Sequence, residues 1–145
     1  MLITPHVLLG AALTRKTNSL GYGIPLAFAS HFLLDAIPNW DVGLTSARNI
    51  SIVFTDGVIA LLLLRFFASS IQSTRRVKTL LWTGGFFGIL PDLLSQCSRI
   101  LGIQRWIPFE SLHQSIQRSA HIGSSLPVQM SLSAILGMWI YYRTR

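Results

Sequence analysis

Four histidines and five acids hold the chemistry open to this chain: His6, His31, His113 and His121, with Asp35, Asp41, Asp56, Asp92 and Glu110. His31 and Asp35 stand four apart, so on a helix both point from one face toward one spot. An imidazole beside a carboxylate is a ligand pair for zinc, and it also suits manganese or iron. His113 and Gln117 repeat the spacing with a weaker ligand. The same residues have plainer readings. His6 can cap or lie at an interface, His31 and Asp35 can be an intrahelical hydrogen-bonded pair, and Asp92 can be a helix-end acid. Asp56 can pair with Arg48 or Arg105, Asp41 can cap a connection, and His121 and Glu110 read as solvated loop residues. The single cysteine, Cys97, excludes an internal disulfide and a cysteine-based zinc site.

The elements that must position these groups are apolar. Half of the 145 residues are hydrophobic and 12% are charged, against about 25% in soluble domains. Mean hydropathy is +0.51. Such a chain is not disordered and has too little charge to clothe an ordinary soluble globule. The net charge of +7 on this background reads as membrane anchoring rather than nucleic-acid binding, for which a basic face with aromatic platforms is missing. No basic stretch precedes the first apolar run, so that run is expected to belong to the mature protein.

Four or five apolar segments are expected, at about Ile3–Thr14, Gly21–Ile37, Asn49–Ala68, Val77–Ser95 and Ser124–Tyr142, with a short helix near Leu112–Ala120 in the longest connection. Thr4 is an expected N-cap with Pro5 at the first helical position. The first segment is about 18 Å long as a helix, short of a ~30 Å hydrocarbon core. Gly84, Gly85 and Gly88 offer a smooth face for close packing, and Pro91 is expected near the end of its helix. The fold class is therefore all-α, a membrane-embedded bundle of four to five apolar helices forming one domain over residues 1–145. If all five segments cross, Arg15, Lys16, Arg75, Arg76, Lys78, Arg143 and Arg145 fall on one side and Arg48, Arg99, Arg105 and Arg118 on the other. Seven against four puts the first side in the cytoplasm of a multi-pass inner-membrane protein. Every acid and histidine falls in the opposite half. Ionisable groups at membrane depth pair, line a cavity or bind something.

Thr4-Pro5-His6 with Gly10 beyond, the run from Ser30-His31 through Asp35 and Pro38 to Asp41, and Gly88-Ile-Leu-Pro91-Asp92 together resemble the YdjM-like family of membrane-bound metal-dependent hydrolases. That family is similar to the all-helical zinc phospholipase C and P1 nuclease group. The resemblance implies a divalent metal, zinc foremost, held by His6, His31, Asp35 and Asp92, with Asp56 and His113 assigned to the catalytic step. It implies a phosphoester substrate, lipid-linked or small, with Arg105 or Arg118 on the phosphate. Related proteins often carry a second histidine where this chain has Arg118, and Gln117 is a poor zinc ligand; the resemblance then implies fewer metals or none. The alternative is a non-catalytic membrane protein whose His/Asp cluster is structural or binds a partner. Transport is a weaker third reading, since no polar path crosses the bundle.

Overall fold

The computed structural model describes residues 2–37, 46–70, 74–120 and 126–144. Among the described residues there are six α-helices: α1 (Ile3–Thr17), α2 (Leu20–Asp35), α3 (Ala47–Ser70), α4 (Arg75–Leu101), α5 (Glu110–Ala120) and α6 (Leu126–Thr144), with a 3₁₀ turn at Gln104–Trp106. There is no strand among the described residues, so the chain is all-α.

The shortest of the expected spans sits at the centre. α1 touches α2, α3, α4 and α6, and Leu8, Ala11 and Ala12 are closed off from solvent in the core with Leu64, Leu81 and Ile140. A helix covered on all sides has no need to match a bilayer's thickness by itself. Glycine makes the tightest contact possible: a Cβ on Gly10 would collide with the Gly84 carbonyl, and one on Gly88 with the His6 carbonyl. The backbones of α1 and α4 therefore lie directly against each other, which brings the first turn of α1 beside the middle of α4.

Thr4 is not the cap of α1. The helix begins two residues earlier, Leu2 stands at the N-cap without a side-chain bond, and α3 supplies the missing acceptor. Asp56 Oδ2 accepts the amides of Ile3 and Thr4, and Thr4 Oγ1 donates to Asp56 Oδ1 at 2.7 Å. A carboxylate at a helix start satisfies orphan N–H groups and favours the dipole.

α4 also runs past its expected end. Pro91 lies inside it, and the helix continues to Leu101. Gly102 ends it at φ 67°, with the Ile103 amide donating to the Ser98 carbonyl at 2.9 Å, a left-handed glycine cap. Proline removes one helical N–H and loosens the turn before it, but neighbouring groups can take up what it frees.

The outside is apolar. Leu33, Phe54, Leu62, Phe86, Ile100 and Met130, from α2, α3, α4 and α6, are all exposed. Among the described residues one helix, α3 over Ala47–Ser69, is long and apolar enough to cross a membrane. The bases ending α1, Arg15 and Lys16, gather with the start of α4, where an Arg76 Nη2–H donates to the Asn18 carbonyl at 2.9 Å.

Candidate metal centre

α1 carries His6 in its first turn, α2 carries His31 and Asp35 in its last turns, α4 carries Asp92 one residue past Pro91, and α5 carries His113 one turn from its start. The chain path brings all five to one end of the bundle, away from Arg15 and Lys16. The helical spacing of His31 and Asp35 holds: His31 Nε2 lies 3.2 Å from Asp35 Oδ2.

Four donor atoms crowd a single point. His113 Nε2 is 3.0 Å from Asp35 Oδ2, 3.2 Å from Asp92 Oδ1 and 3.1 Å from His31 Nε2. His31 Nε2 is 3.6 Å from Asp92 Oδ1. One ligand atom from each of the four residues lies within 4.8 Å of all the others, a group able to hold a metal ion. His31, Asp35 and His113 are buried, and Asp92 keeps 21% of its side chain exposed.

The tautomer of His31 follows from its other nitrogen. Nδ1 is 3.0 Å from the Gly88 carbonyl, which can only accept, so Nδ1 carries a proton and Nε2 is the nitrogen turned to the cluster. A ligating histidine commonly anchors its second nitrogen on a carbonyl in this way. Gly88 is also where α4 meets the backbone of α1. His113 Nε2 then faces the His31 nitrogen and two carboxylate oxygens at once. The Gln117 amide nitrogen also lies here, 3.0 Å from His113 Nε2 and 3.4 Å from Asp35 Oδ2.

Donors on a tetrahedral zinc with bonds of about 2.0–2.1 Å are roughly 3.3 Å apart. The five separations above, from 3.0 to 3.6 Å, fit that spacing, and two imidazoles with two carboxylates fit its donor chemistry. Burial opposes a charge on His113, but its hydrogen bonds to Asp35 and Asp92 outweigh this and push its pKa up to about 9. A cation entering the cluster displaces that proton.

His6 stands at the edge. Its ring stacks on His31 with centroids 4.1 Å apart, and Nε2 lies 3.3 Å from Asp35 Oδ1, the oxygen turned away from His113. It is fully buried and neither ring nitrogen makes a hydrogen bond. Asp56, by contrast, is not among the clustered residues; its partners are the first turn of α1.

Other residues fall where their types did not indicate. Glu110 is not a solvated loop residue. α5 begins at it rather than at Leu112, and the acid in the first turn folds onto α4, buried, taking hydrogen bonds from Ser95 Oγ at 3.0 Å and Gln114 Nε2 at 2.7 Å. Arg99 Nε lies 3.7 Å away from it. Arg105 lies over the Trp106 ring. Asp41 and His121 are outside the described residues, as is the side chain of Arg118. Phe32 packs edge-on against both His31 and His113, and Phe109 packs against Phe28 and Phe32. This aromatic wall keeps water from one side of the cluster. The i, i+4 spacing of Phe28 and Phe32, interleaved with His31 and Asp35, was its sequence signal.

No protein family, curated protein or solved structure matches the chain. Its chemistry is read from the cluster itself.

Proposed function

We propose that this chain is a membrane-embedded, metal-dependent hydrolase of phosphoesters. The observation that carries the reading is the set of donor separations among His31, Asp35, Asp92 and His113. These four residues hold one divalent cation, and two imidazoles with two carboxylates favour zinc. When bound, the ion supplies Lewis acidity and lowers the pKa of its water toward 7. The chain's own residues do the rest. Gly88 fixes the His31 ring, the Phe28–Phe32–Phe109 wall excludes bulk water, and the partly exposed Asp92 marks the side on which substrate arrives. His6, stacked on His31 and 3.3 Å from the second oxygen of Asp35, packs against both ligands.

The apolar exterior supports the membrane half of the proposal. A monomeric soluble surface rarely shows so many large exposed apolar side chains. In this reading α2, α3, α4 and α6 face hydrocarbon, α1 is sheltered among them, and the end bearing Arg15, Lys16, Arg75 and Arg76 faces the cytoplasm of a multi-pass inner-membrane protein.

A second reading has its own observation. A protonated His113 neutralises part of the cluster without a metal, so the group can serve to fasten α2, α4 and α5 together. Detergent-purified protein, stripped and then reloaded with zinc, separates the two. The hydrolase reading expects turnover of a chromogenic aryl phosphoester that chelation abolishes, zinc restores and Asp35→Asn removes. Zinc-loaded protein inert toward phosphomonoesters and phosphodiesters contradicts it.

A further inference from the structure

A groove of about 650 Å³ opens between α1, α3 and α4. Ile3, Phe54, Leu61, Trp82, Phe86 and Leu93 are among its walls, and no charged side chain lines it. The volume is that of a small-ligand site, but the lining offers no polar group to orient a polar ligand. Three features of the groove select its occupant.

The first is length. Along α3 the lining runs from Ile50 to Leu64, and along α4 from Trp82 to Leu93, about 21 Å and 16 Å at the helical rise. One leaflet of a ~30 Å hydrocarbon core is about 15 Å deep. The second is the medium. The outer wall is α3, the helix long and apolar enough to cross a membrane, with Phe54 exposed on it. The third is nearness along the helices to the metal centre. Leu93 follows Asp92, the cluster carboxylate that keeps some exposure, and Ile3 lies three residues before His6 on α1.

We propose that this groove holds an acyl chain of the substrate, an amphiphilic phosphoester of the bilayer whose headgroup lies at the His/Asp cluster. The inference rests on the phosphoester reading and adds the substrate class. The groove sets the depth of the chain, and the exposed side of Asp92 receives the headgroup from the membrane surface. A soluble phosphoester lacks the apolar contact and binds the cluster alone.

Gly57 provides the test. A Cβ there meets one atom within 4 Å, Ile3 Cδ1, at 3.4 Å, an ordinary contact, so Gly57→Leu fills the groove without displacing backbone. The probe is a diacylglycerol phosphate brominated near its chain ends. It is titrated in micelles against a chain that retains Trp82 while Trp40, Trp106 and Trp139 are replaced by phenylalanine. Zinc content of each variant reports the integrity of the cluster independently. The expected result is saturable quenching of Trp82, weakened at least about tenfold by Gly57→Leu, the equivalent of losing contact with about two methylenes, at unchanged zinc content. Equal saturable quenching by the brominated diacylglycerol without phosphate overturns the link to the cluster. Linear quenching indifferent to Gly57→Leu overturns the groove as a substrate site, and does so even if soluble phosphoesters are hydrolysed, in which case the hydrolase reading stands without it. Conversion of a dimer to a monomer by Gly57→Leu, with quenching unchanged, assigns the groove to a second copy of this chain and overturns the proposal. Saturable, phosphate-dependent quenching without turnover of any phosphoester sustains the groove and its headgroup site and defeats the hydrolase reading.

Discussion

Asp56 and the Asp35–Asp92 pair show two ways of keeping carboxylates inside a largely apolar bundle. Around Asp56 donors match acceptors: two backbone amides and the Thr4 hydroxyl point at its oxygens, and nothing further is required. Around Asp35 and Asp92 the partners are imidazoles instead: His113 Nε2 is within 3.2 Å of His31 Nε2 and of one oxygen of each acid. A buried acid surrounded by donors ties helices together. Acids and imidazoles whose ligand atoms crowd one point form a group able to hold a cation.

The largest effect that separates the two regions is expected from the ligands. His31→Ala or Asp35→Asn should lower zinc affinity by more than the roughly 10–100-fold typical of losing an outer-shell partner, measured by competition with a chromophoric chelator. Retention of wild-type affinity by both variants would erase the distinction drawn between the two groups of acids.

Asp56→Ala is expected to act in the opposite sense. It leaves the amides of Ile3 and Thr4 without their acceptor at a helix start, at a cost of about 1–3 kcal/mol, read as a lower unfolding midpoint in detergent, while zinc stoichiometry stays at the wild-type value. Loss of metal without loss of stability would move Asp56 into the cluster's chemistry.

A smaller effect concerns protons. In chelated protein the pKa of His113 is pushed up to about 9 from the ordinary 6.5. A group raised on folding contributes stability that is full below pH 6.5 and disappears as pH rises through 9. Chelated protein should therefore become easier to unfold across that window, and His113→Gln should flatten the dependence. Zinc-loaded protein should show neither trend there, because the ion has already displaced the proton.

These assignments were unequally legible in the residues. The pairing of His31 with Asp35 needs only helical spacing, and the apolar segments mark the helices by their composition. Asp92 was visible as an acid beside a proline, but Pro91 suggested a helix end. That α4 continues depends on packing that tolerates the proline, and its end is set by Gly102, eleven residues on. The role of Asp56 depends on where α1 begins relative to α3, more than fifty residues away in sequence, which no local pattern encodes. Glu110 looked solvated because it fell in the longest connection; its burial follows from α5 starting two residues early and folding over Ser95. The length of α1 left its place open, and only tertiary packing puts it in the middle.

The central claim is that a metal occupies the space between His31, Asp35, Asp92 and His113. X-ray absorption at the zinc edge, on detergent-purified protein loaded to saturation and desalted, tests it most directly. The account predicts about one zinc per chain with only nitrogen and oxygen ligands at about 2.0–2.2 Å, including imidazole scattering that diminishes in His113→Gln. A protein that retains no zinc after desalting, or one whose zinc shows sulfur from Cys97 and no imidazole, would contradict it.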